Sequence, residues 1–127
     1  MGSFKDLLAY KKGFDLAMKI FEVSKLYPPD EKYNLTLQIR RSSRSVCANI
    51  AEAYWRRSSK NFFISKLHDV LSENTETEVW LDFSKSCKYI DPQQYAEFKK
   101  ANDEIGKLVS FMIKHPEKFQ ENKNENE

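Results

Sequence analysis

Residues 91–116 read DPQQYAEFKKANDEIGKLVSFMIKHP, and they decide the fold class. Asp91 has a side chain that caps a helix start, Pro92 follows at the first helical position, and Gln94 stands three residues after the cap to complete a capping box. Tyr95, Phe98, Ala101, Ile105, Leu108 and Met112 then recur on one face at helical spacing. Pro116 marks the end. This stretch predicts one long amphipathic helix with both boundaries written in local chemistry.

Working outward, the same grammar recurs. Ser58 and Ser59 offer a hydroxyl cap to a third helix running to about Tyr89, with Phe63, Leu67, Val70, Leu71 and Leu81 as its core stripe. A second helix is predicted from Asp30-Glu31, where acids suit the positive end of the helix dipole, to about Arg57. A first helix is predicted from Lys5 to Leu26. Its apolar face is Phe4, Leu7, Phe14, Met18 and Phe21, broadened by Tyr10, Ala17 and Ile20, and Pro28-Pro29 ends it. Helices of roughly 22–28 residues joined by short connections lie antiparallel, so the expected fold is all-α, an up-and-down antiparallel four-helix bundle. The bundle domain is read as residues 1–116, and 117–127, rich in Glu and Asn, as a disordered acidic tail.

Composition agrees. The 127 residues suit one domain, and three glycines are too few for the turns of an all-β chain. The apolar runs are too short for a membrane span, and the first residues lack a signal-peptide core, so the expected location is cytoplasmic and without membrane attachment. Cys47 and Cys87 have no CxxC partner and read as reduced thiols. His68 and His115 stand apart from any metal-ligand spacing, and glycine-rich phosphate loops are absent. No catalytic residue, metal or cofactor is expected, so the function reads as binding rather than chemistry.

The net charge of +2 decides little, but its distribution is uneven. Residues 36–60 carry Arg40, Arg41, Arg44, Arg56, Arg57 and Lys60 against Glu52 alone, whereas residues 61–83 are dominated by acids. On a helical wheel Leu35, Ile39, Ser42, Val46, Ile50 and Ala53 point to the bundle core. Arg40, Arg41 and Arg44 fall on the other side with Ala48, Ala51 and Trp55. Three readings are open for that face. The arginines pair with acids of the third helix and Trp55 folds back. Or small residues, Trp and Arg form a subunit interface. Or its arginines contact nucleic-acid phosphates, with aromatics available for stacking. The last two are compatible. Asn49, Asn74 and Thr77, polar within apolar surroundings, read as packing residues.

The segment Gln38-Ile39-Arg40-Arg41-Ser42-Ser43-Arg44-Ser45-Val46-Cys47-Ala48-Asn49-Ile50-Ala51-Glu52 resembles the small proteins encoded in intervening sequences of bacterial large-subunit ribosomal RNA genes. Pro29-Asp30-Glu31 followed by Leu35 resembles the lead-in to that motif, and Glu76, Glu78 and Tyr89-Ile90 a weaker second one. The resemblance spans about residues 4–114. It implies a four-helix bundle assembled as a ring-like homopentamer, distantly similar to the basic pentameric accessory proteins of diversity-generating retroelements, which bind nucleic acid and a reverse transcriptase. It carries Arg41, Ser45, Asn49 and Glu52 as structural or interface residues. Ala53 stands where the family has glycine, and Ser72-Glu73 where it has Gly-Ser. The expectation is therefore a non-enzymatic homo-oligomer holding RNA or DNA through Arg40, Arg41, Arg44, Arg56, Arg57 and Lys60, with Ser45, Ala48, Asn49, Ala51, Glu52 and Trp55 at interface or structural positions. The alternative is a scaffold for a protein partner, without nucleic acid.

Overall fold

The computed structural model describes residues 2–120. The described residues form four helices, α1 (Leu8–Ser24), α2 (Leu35–Trp55), α3 (Lys60–Ser86) and α4 (Pro92–Lys114), with short 3-10 turns before α1 (Phe4–Asp6), before α2 (Pro29–Glu31) and after α4 (Pro116–Lys118). Each helix packs on the next and α4 closes on α1, giving the expected antiparallel four-helix bundle.

The capping chemistry holds where side chains supply it. Asp91 accepts from the Gln94 backbone N–H while the Gln94 side chain accepts from Asp91 N–H, and Ser59 Oγ accepts from Phe62 N–H. Three other boundaries differ from the expected ones. The first helix opens with a separate 3-10 turn at Phe4–Asp6, capped by Ser3, before α1 begins. The second helix begins at Leu35 rather than Asp30, because Pro29–Glu31 forms its own 3-10 turn and Glu31 Oε1 accepts from Leu35 N–H at 3.3 Å. The third ends at Ser86, short of Tyr89. Lys88 takes a left-handed φ of 62°, so Tyr89 N–H reaches the Ser84 carbonyl and Lys88 N–H the Lys85 carbonyl, both at 2.9 Å.

The core is built from Leu16 and Ile20 of α1, Ile39, Val46 and Ile50 of α2, Phe63, Leu67, Val70 and Leu81 of α3, and Phe98, Ile105, Val109 and Met112 of α4. Burying Phe63 completely contributes on the order of 2–3 kcal/mol. Two buried polar bridges cross it. Asn74 Nδ2 donates to Asn102 Oδ1 at 2.9 Å and Asn102 Nδ2 returns a bond to the Asn74 carbonyl at 2.9 Å. Thr77 Oγ1 donates to Ser42 Oγ at 2.9 Å. Gly106 lets α4 approach this site, since a Cβ there would stand 3.0 Å from Asn74 Oδ1.

The first helix corrects the sequence reading. Its core face is Ala9, Gly13, Leu16, Ala17 and Ile20. Phe14 and Met18, read as core, are 52% and 43% exposed, and Phe4 and Phe21 are half-buried. The chain after Pro116 also differs from the expected tail. Phe119 packs against Phe63 and Phe111, and Gln120 Nε2 donates to the Arg57 carbonyl. The rest of the expected tail, 121–127, lies outside the described residues.

Candidate functional site

The outward side of α1 is continuous with the outward side of α2. Small residues make the junction: Ala48 is exposed and Ala51 half-buried, so nothing on α2 covers Phe14 and Met18. The Phe4–Asp6 turn folds back beside them, held by a Tyr54 hydroxyl bond to the Gly2 carbonyl, and Phe4 meets Tyr10 edge-on with ring centroids 5.0 Å apart. The result is an open apolar groove of about 410 Å³ walled by Phe4, Tyr10, Phe14, Met18, Ala48 and Ala51, with Arg44 on its rim. Cys47 lies at its floor, where burial pushes the thiol up to about 11 and keeps it protonated and unreactive at neutral pH. Trp55, at the end of α2, is 84% exposed and borders a shallower recess with Ala51, Glu52 and Phe62. A second recess lies between α2 and α3, lined by Tyr33, Leu35, Trp80 and Phe83 among others, and Leu37 of α2 and Val79 of α3 are also exposed, one helical turn from Tyr33 and from Phe83 in sequence.

The six cations singled out from the sequence fall into three places. Arg40 and Arg44 lie toward α1, their guanidinium carbons 4.8 and 5.3 Å from the Phe21 ring centroid. Arg40 Nε donates to Ser24 Oγ at 2.8 Å. Arg41 leans the other way, onto α3, where it pairs with Glu73 at 3.3 Å and with Glu76. The hydrogen bond that Arg41 donates to Glu76, with the charge of Glu73 beside it, holds the Arg41 proton more firmly than usual. Arg56, Arg57 and Lys60 stand at the far end of α2, roughly 24 Å along the axis from Arg40. There Arg56 stacks on Phe62 at 4.2 Å. Arg57 is buried against the Tyr54 ring at 3.9 Å and donates to the Tyr54 carbonyl. Lys60 opens α3, exposed.

The remaining candidates are local. Asn49 Nδ2 donates to the Ser45 carbonyl and hydroxyl on its own helix at 2.9 and 3.2 Å. Glu52 takes Lys66 of α3 at 2.8 Å, tying two helices together. Phe21 and Ser24 were not singled out as site residues. Phe21 was hidden in the expected apolar stripe of the first helix, and helical periodicity says nothing about which guanidinium a serine meets.

The fold is that of a small all-α four-helix bundle, and among the described residues its recess between α1 and α2 is an open groove. Residues 5–110 match the 23S rRNA-intervening sequence protein family, and the chain belongs to that family. It is also similar, at 35% identity and a TM-score of 0.77, to the crystal structure of a protein with unknown function from the S23 ribosomal protein family of Bacteroides thetaiotaomicron VPI-5482, the match covering 87% of this chain and 98% of that one. No curated protein matches it. Among the described residues no helix is long and apolar enough to cross a membrane.

Proposed function

We propose that the protein is a non-enzymatic, cytoplasmic homo-oligomer, a pentamer as the family resemblance implies, that holds RNA or DNA on the basic side of α2. The observation that carries this reading is the outward apolar face, on which Phe14, Met18 and Trp55 sit beside Ala48 and Ala51. Large exposed apolar surfaces mark association sites, and small residues allow a neighbouring helix to approach closely. The separate set of exposed residues Tyr33, Leu37, Val79 and Phe83 supports a ring, because head-to-tail closure needs two different complementary surfaces on each copy. Arg40 and Arg44, with no carboxylate partner among the described residues, supply the cationic surface for nucleic acid.

Light scattering on a sizing column should give a mass about five times the 15.0 kDa chain. A monomer at micromolar concentration would overturn the oligomer. Labelled RNA and duplex DNA titrated across a salt series should bind wild type with a steep salt dependence and lose binding with Arg40→Glu/Arg44→Glu at unchanged oligomer mass. The groove walled by Phe14 and Met18 favours a second reading, a scaffold for a protein partner. In that case the arginine pair changes nothing and Phe14→Glu abolishes capture of the partner.

A further inference from the structure

We propose that Arg40 and Arg44, set by Phe21 and Ser24 of α1, form a preorganised site for successive phosphates of one nucleic-acid strand. This rests on the nucleic-acid reading above and names which of its cations do the work. Ser24 is 2% exposed and spends its hydroxyl proton on the Phe21 carbonyl at 2.9 Å, so its oxygen lone pairs are left to accept from Arg40 Nε. A guanidinium has five N–H donors in a rigid plane. With Nε held by a buried hydroxyl and the plane beside an aromatic ring, the remaining donors of Arg40 have a defined direction before any ligand arrives. That lowers the ordering cost of binding.

The charge of the pair is uncompensated. Arg41, one residue along, is neutralised by Glu73 and Glu76, whereas among the described residues no carboxylate oxygen lies within 4.0 Å of Arg40 or Arg44. Lys25 also approaches the Phe21 ring, at 4.7 Å, but pairs with Glu22 at 3.2 Å. Two like charges one helical turn apart repel, and the neutral hydroxyl of Ser24 and the ring of Phe21 offset this only in part. An anion on each fork removes the repulsion. Guanidinium forks match phosphate oxygens, and a strand supplies a phosphate at every nucleotide without regard to sequence. A peptide would have to place two carboxylates at the same spacing.

The test uses the full chain and three probes: a labelled uridine homopolymer, a labelled DNA duplex and polyglutamate. Arg40→Gln/Arg44→Gln should weaken nucleic-acid binding at least tenfold and reduce the salt slope by about 2, one for each phosphate that the variant no longer neutralises. Arg40→Lys/Arg44→Lys keeps the charge and loses the fork, so it should weaken binding several-fold at nearly unchanged slope. Ser24→Ala and Phe21→Leu should do the same, as expected of positioning residues. Arg56→Gln/Lys60→Gln should change little. If Ser24→Ala fails to fold by circular dichroism, the Lys pair, on partly exposed positions, carries the test. Wild type that binds while every Arg40 and Arg44 variant binds equally well overturns this site and leaves the nucleic-acid reading standing. No binding by wild type at low salt overturns both. Polyglutamate bound as tightly as the nucleic acids through the same two arginines also overturns it, in favour of an acidic protein partner. Binding of the homopolymer over the duplex, or the reverse, supports the site and tells which strand geometry fits it.

Discussion

Single side chains settle several questions that helical periodicity leaves open. Asn74 and Asn102 satisfy each other across the α3–α4 seam. Truncating Asn74 leaves Asn102 Oδ1 buried without its donor, while Asn102 Nδ2 keeps the Asn74 backbone carbonyl, so Asn74→Ala should lower stability by about 1–3 kcal/mol. Replacing both by leucine removes the polar demand altogether, and the double variant should recover much of that loss. Urea denaturation of the three proteins measures this, and additive losses would show that the two amides do not act as a pair. Lys88 illustrates the opposite case, a residue holding a left-handed conformation that glycine adopts without penalty. Lys88→Gly should raise stability by about 0.5–1 kcal/mol, read as a shift in the urea midpoint at unchanged slope.

At the scale of elements, the connections are fastened by tyrosines as well as by caps. Tyr89, just past α3, donates its hydroxyl to Glu31 Oε2 at 3.0 Å in the turn before α2, and its ring meets Tyr27 at 5.1 Å. That hydrogen bond to Glu31 pushes the Tyr89 phenol up to about 12, above its ordinary value of 10.0. The raised value means that the protonated phenol is stabilised by folding. Its contribution is complete below pH 10 and is lost as pH rises toward 12. Tyr89→Phe should therefore flatten the fall in stability with pH between 10 and 12, and the last tyrosine to ionise in an absorbance titration should disappear. An unchanged titration would mean that Glu31 does not hold this phenol. The outward face of α1 makes a second prediction at this scale. Phe14→Ser and Met18→Ser sit outside the core, so the folded chain should keep its melting temperature at concentrations where it is monomeric, whereas Leu16→Ala should cost about 2–5 kcal/mol.

For the whole molecule, two apolar faces on one small bundle separate folding from assembly. Phe14→Glu should reduce the mass measured by light scattering without loss of helical circular dichroism, since the residue is half outside the fold already. Trp55→Asp should act in the same direction because an exposed indole is a strong interface anchor. If both variants keep the full oligomer mass, the contact lies elsewhere, and the exposed residues Tyr33, Leu37, Val79 and Phe83 are the next to test. Arg40 lies roughly 22 Å along α2 from Trp55 and, unlike Arg44 on the rim, outside the Phe14–Met18 groove, so Arg40→Gln should leave that mass unchanged.

The sequence by itself determined the number of helices, their antiparallel order and the caps at Ser59 and Asp91, because these follow from nearby residues: a hydroxyl or carboxylate before an amphipathic run, and proline at its edge. It also determined the core face of α2, where Leu35, Ile39, Val46, Ile50 and Ala53 are all buried. The inward face of α1 was decided by tertiary structure. That helix has apolar residues on two sides, Leu16 and Ile20 on one and Phe14 and Met18 on the other, and periodicity cannot rank two stripes. Close approach to α2 chooses between them: a Cβ at Gly13 would stand 3.3 Å from Cys47 Sγ, so the glycine side turns inward and the bulkier side turns out. The fate of the basic stretch was decided in the same way. Six cations close in sequence look like one patch, yet α3 supplies carboxylates to Arg41 and a ring, Phe62, to Arg56, Tyr54 covers Arg57, Lys60 opens α3 exposed, and α1 offers Arg40 and Arg44 the Phe21 ring, with the Ser24 hydroxyl for Arg40, in place of a counter-charge. Charge pairing depends on what the neighbouring helices bring within a few ångströms, and only the packed bundle specifies that.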